Sequence, residues 1–182
     1  MRRLAVLRTT GRPGSRPVAF VALVVLAALV AYGSVALATP GSGVTSATVA
    51  KGRFGDIQVK AKTDIDPGTR TDFWQAAIDT KGSSDLEIVQ NTIVPGGTFG
   101  WHSHPGPSLV IVKSGTATFY LADDPTCTAH VVTAGSGFVD AGSDVHVVRN
   151  EGTVDLVTVV ASLIPAGRAR RIDEPNPGNC PF

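Results

Sequence analysis

The feature that most constrains this chain is the texture of residues 56–163, where short β-branched runs are cut off again and again by Gly, Pro, Asp or Ser. The runs cover residues 57–60, 73–78, 86–94, 108–112, 116–121, 128–133, 145–149 and 156–163. None carries an apolar stripe at helical spacing for three turns, which leaves the strand period. The connections agree. Val94-Pro95-Gly96-Gly97, Lys113-Ser114-Gly115 and Ala134-Gly135-Ser136-Gly137 supply residues that accept positive φ, as hairpin turns require. Many short strands with regular turn signals predict an all-β sandwich or barrel over residues 56–170.

The N-terminal part has a different character. Residues 1–17 hold five arginines and no acid, and residues 18–38 are uncharged and mostly Ala, Val and Leu. A basic head, an apolar run and a small-residue exit form an export signal, and Ala36-Leu37-Ala38 supplies a cleavage site. The same run is long enough to cross a hydrocarbon core of about 30 Å as an uncleaved anchor with its basic end in the cytoplasm. Arg2-Arg3 also gives a weak match to a twin-arginine signal. Signal peptide and transmembrane helix both place the rest of the chain outside the cytoplasm, either secreted or membrane-anchored. Residues 39–55, rich in Gly, Ser, Thr and Ala without periodicity, read as a flexible linker.

Charge then excludes one class of partner. Five of the 16 basic residues lie in the leader, so the remainder carries 11 against 15 acids, a formal net charge of −4. With no Lys/Arg run, such a domain has no electrostatic footprint for nucleic acid. Its two cysteines, Cys127 and Cys180, form an even pair, which in an oxidising compartment predicts a disulfide. That bond would tie the Pro/Gly/Asn-rich tail, residues 171–182, to the loop around Cys127.

Three histidines suggest chemistry. In Gly100-Trp101-His102-Ser103-His104-Pro105 the two imidazoles stand at i and i+2, on one side of an extended strand, as two ligands of one ion require. His146 lies on another predicted strand and can complete the set. Ser108 and Val110 fall on the same face by alternation, and Val112 follows them. Trp101 and Tyr120 are further candidates for the pocket wall, although packing at the barrel end accounts for Trp101 and packing on the outer surface for Tyr120. His130 reads as a surface residue. Asp144 and Arg149 flank His146 and could orient it, and Asn150 reads as a turn stabiliser.

These spacings resemble the two motifs of the cupin superfamily. The first runs from Gly96 through His102-Ser103-His104 and Ser108 to Gly115; the second runs from Gly135 through His146 to Asn150. Ser108 stands where the family usually has a metal-binding Glu, and Ala141 and Ser143 replace its usual Pro and Gly. The resemblance implies a small double-stranded β-helix, a jelly-roll-like barrel. It also implies one divalent transition metal (Fe, Mn, Ni, Cu or Zn) on His102, His104 and His146. A neutral hydroxyl is a poorer ligand than a carboxylate, so the site implied is a three-His site like that of some cupin dioxygenases.

Two functional readings follow. The first is a metal-dependent, dioxygenase- or isomerase-like cupin acting on or binding a small molecule. The alternative is a metal-free, small-molecule-binding cupin module without catalysis. Uncovered strand edges would also invite pairing into a homodimer.

Overall fold

The computed structural model describes residues 38–65 and 73–182. The leader expected over residues 1–38 lies outside the described residues except for Ala38, which bridges to Pro175. Among the described residues there is no α-helix, and hence none long and apolar enough to cross a membrane.

The described residues form twelve strands: β1 (Ser42–Phe54), β2 (Gln58–Asp64), β3 (Phe73–Asp79), β4 (Ser84–Thr98), β5 (His102–Ser103), β6 (Ser108–Ser114), β7 (Thr116–Leu121), β8 (His130–Thr133), β9 (Gly137–Asp140), β10 (His146–Arg149), β11 (Leu156–Pro165) and β12 (Ile172–Asp173). Ten of them form one antiparallel sheet that curls into a nearly closed barrel. One wall runs β1-β4-β11-β6-β9 and the other β12-β5-β10-β7-β8, joined where Thr98 of β4 pairs with Arg149 of β10. The remaining pair, β2 and β3, makes a separate hairpin with both strands exposed.

Alternation produces the core. On β11, Leu156, Thr158, Val160, Ser162 and Ile164 point inward and are buried. Ile93, Val112, Ala117, Val148 and Leu156 pack together in the barrel, flanked by Val44, Phe99 and Phe138. A second cluster joins Trp101, Tyr120 and Val147 to Cys180 of the tail. The turn at Gly115 needs glycine twice over. Its φ is +77°, and a Cβ there would lie 2.6 Å from the carbonyl oxygen of Asp155.

The flexible linker expected over residues 39–55 is instead mostly strand. β1 pairs with β4 from Ser42 opposite Thr98 to Phe54 opposite Ser84. Its polar residues match partners directly across the ladder. The Arg53 guanidinium donates to the Asp85 carboxylate at 2.7 and 3.0 Å, the Lys51 ammonium to Glu87 at 3.1 Å, and the Ser46 hydroxyl to Asn91 at 2.7 Å. Such cross-strand pairs stabilise a strand without any apolar alternation. At its start the Thr39 hydroxyl accepts the Trp101 N–H at 2.7 Å, close to the histidine loop.

The expected disulfide between Cys127 and Cys180 forms, spanning 53 positions. It holds the tail against the barrel, where β12 pairs with β5 through Ile172 opposite Ser103 and Asp173 opposite His102.

Candidate metal centre

Strand register brings the three histidines together. His146 begins β10 directly opposite His102 on β5, with their ring centroids 4.4 Å apart. His104 follows β5, and its N–H donates to the Gly142 carbonyl at 3.0 Å, which turns its ring to the same point. One ligand atom from each of the three lies within 4.8 Å of the others, and all three side chains are buried.

Each ring is held from behind by a backbone carbonyl. Nδ1 of His102 faces the Gly100 oxygen at 2.8 Å, Nδ1 of His104 the Arg170 oxygen at 2.6 Å, and Nδ1 of His146 the Asp144 oxygen at 2.9 Å. A carbonyl only accepts, so each Nδ1 carries the proton and each Nε2 presents a lone pair. Tautomer and orientation are thus set by the second partner of each ring, as in metal-ligating histidines. Burial, then the nearby His146 and Arg171, pushes His102 down to about 2. Burial also lowers His104, against the opposing influence of the Arg170 carbonyl and Asp140.

A fourth group joins them that the sequence reading missed. Oδ2 of Asp140, at the end of β9, lies 3.2 Å from Nε2 of His104 and 3.3 Å from Nε2 of His146. Its other oxygen accepts the Gly142 N–H at 2.8 Å, yet Oδ2 is buried with no hydrogen-bond partner. Electron pairs from a carboxylate and imidazole nitrogens therefore converge on one place. That arrangement repels itself unless a cation lies between the donors. Two or three imidazole nitrogens with one carboxylate oxygen suit a divalent transition metal.

The other expected wall residues divide. Val110 lines the cavity beside the histidines. Ser108 does not: it is fully buried between β6 and β11, where its hydroxyl shares a 2.7 Å hydrogen bond with Ser162. Trp101, one position out of phase with His102, packs into the cluster around Cys180. Tyr120 likewise turns away and donates to the Glu151 carboxylate at 3.0 and 3.1 Å. Val112 sits in the core. Asp144 meets His146 through its backbone oxygen, not its carboxylate, whereas Arg149 pairs with Glu151. Asn150 holds its turn by donating to the carbonyls of Ile93 and Val154 at 2.8 Å each. His130 stacks on Phe119 away from the site.

The cavity over the histidines measures about 310 Å³. Phe99, Val110, Phe138, Val148 and Val160 give it an apolar wall. Ser46, Asn91 and Thr158 add a polar strip whose members hydrogen-bond one another. Arg170, Arg171 and Asp173 come from the tail.

A family profile described as a cupin domain matches residues 90–162, the stretch that contains every histidine of the cluster and Asp140. The barrel of this chain carries a cupin domain over residues 90–162. Solved structures it is similar to include an oxalate oxidase, at 22% identity over 44% of this chain and 46% of that one, with a TM-score of 0.38. The chain thus spans less than half the length of that protein. Others are a cupin superfamily protein from Desulfitobacterium hafniense DCB-2 (12% identity, 58% and 78% coverage, TM-score 0.39) and the polyketide cyclase RemF from Streptomyces resistomycificus (15%, 50% and 64%, TM-score 0.42). No curated protein matches the sequence.

Proposed function

We propose that this cupin holds one divalent transition metal on His102, His104 and His146, with Asp140 as the carboxylate ligand, and binds or transforms a small molecule in the cavity above it. The observation that carries this is the partnerless buried oxygen of Asp140 facing two Nε2 atoms. Asp140 would restore from β9 the negative ligand that Ser108 does not provide. When bound, such a metal would act as a Lewis acid on an oxygen of the ligand. The protein's own part is to fix the three imidazole tautomers through backbone carbonyls and to keep an apolar wall around the ligand. The disulfide supports an oxidising, extracytoplasmic setting, in line with the leader composition.

The apolar wall also suits a metal-free binding module, in which the His–Asp cluster would share a proton instead. Elemental analysis of the exported, disulfide-bonded protein decides between them. About one Fe, Mn, Ni, Cu or Zn per chain is expected, lost in the combined variant His102→Ala, His104→Ala, His146→Ala. A folded protein that carries no metal and takes up none of these ions would overturn the metal reading.

A further inference from the structure

Two arginines of the tail bear on the cavity, and neither belongs to the histidine cluster. Arg170 and Arg171 precede β12, which pairs with β5 beside His102, so both line the cavity wall. The segment is held on several sides. The Arg170 carbonyl accepts the His104 Nδ1–H, the Glu174 N–H donates to the Trp101 carbonyl at 3.0 Å, and Cys180 is bonded to Cys127.

Their charges are incompletely matched. Arg170 is half-buried, and among the described residues its side chain makes no ion pair or hydrogen bond. Arg171 gives its Nε to Asp173, but its Nη2 is buried with no acceptor. A partly desolvated guanidinium without an acceptor is costly, and an incoming anion relieves that cost. The acids on the wall are already committed: Asp173 to Arg171, and Asp140 toward the histidines. The planar guanidinium fork fits a carboxylate, whereas the rest of the wall is Phe and Val. At about 310 Å³ the cavity is near the lower end for small-molecule sites.

We propose that the ligand of this cavity is a small organic acid, its carboxylate held by Arg170 and Arg171 and its apolar body against Phe99, Phe138 and Val148. This rests on the reading of the cavity as a ligand site, but not on the metal.

The test is calorimetric titration of the exported, disulfide-bonded protein with benzoate, benzamide and phenyl phosphate, both metal-loaded and chelator-stripped. Benzoate should bind about tenfold or more tightly than benzamide in both forms, and better than phenyl phosphate. Arg170→Gln and Arg171→Gln should each remove most of the preference for benzoate while leaving benzamide unchanged, and the Lys variants should restore part of it. Both Gln variants keep the main-chain carbonyl that holds His104, and thermal melting confirms that they fold. Equal binding of benzoate and benzamide, or a preference untouched by both Gln variants, would overturn the proposal. So would phenyl phosphate binding tenfold more tightly than benzoate. Benzoate binding that vanishes with the metal and ignores both arginines would also overturn it while sparing the metal reading. Arginine-dependent binding by a protein that takes up no metal would support it and sink the metal reading alone.

Discussion

Asp140 sets the character of the site. A carboxylate oxygen buried against imidazole lone pairs destabilises the metal-free protein and is stabilised by a cation. Asp140→Asn separates these two effects, because an amide N–H can donate to the imidazole nitrogens that the carboxylate repels. The variant should melt higher than the parent without metal and bind metal at least about tenfold more weakly, read by parallel melts and competitive chelator titration. The histidines give a second expectation. His102 and His104 are held neutral by burial, so the unfolded chain takes up protons that the folded chain refuses. Stability of the metal-free protein should therefore fall as pH drops below about 6.5, by up to about 1.4 kcal/mol per pH unit for each such group. Urea unfolding between pH 7.5 and 5 measures this, and a flat profile would contradict the burial argument.

At the scale of elements, β1 shows how a strand can be built from polar pairs. Asp85 is held well below the usual carboxylate range, first by its hydrogen bonds from Arg53 and next by the Gly167 N–H. Its contribution is present above the ordinary aspartate pKa of about 3.9 and lost as pH falls through the lower folded value. Arg53→Ala should weaken β1 at neutral pH and remove part of this acid-sensitive stability, visible as faster amide exchange along residues 44–54. This strand was illegible as a strand because period-two reading searches for apolar alternation. The partners of Arg53, Lys51 and Ser46 lie 32, 36 and 45 positions away, and nothing along residues 42–54 announces them. The turn glycines and the runs at residues 108–112, 116–121 and 156–163 were legible, because backbone conformation and side-chain alternation are local properties.

For the molecule as a whole, the disulfide links the tail to the centre. Closing a loop across 53 positions contributes about 4 kcal/mol in the chain-entropy view. The tail so fastened supplies the carbonyl behind His104 and the two cavity arginines. Cys127→Ser with Cys180→Ser should cost about 2–5 kcal/mol in chemical denaturation. It should also loosen metal binding, because His104 loses a firmly held partner. Unchanged metal affinity in the folded double variant would show that β12 alone keeps the tail in place.

The sequence by itself determined the all-β class, the three histidines and the cysteine pair, since strand period, i/i+2 geometry and redox chemistry operate over a few residues or through composition. It could not place Asp140, Arg170 or Arg171 at the site, nor remove Ser108, Trp101 and Tyr120 from the cavity wall. Those positions depend on register: Ser108 opposite Asp140 across β6 and β9, His146 opposite His102, and Asp173 opposite His102. Register is a property of pairs of strands far apart in the chain, so only the folded barrel decides which carboxylate meets the histidines and which charges face the ligand.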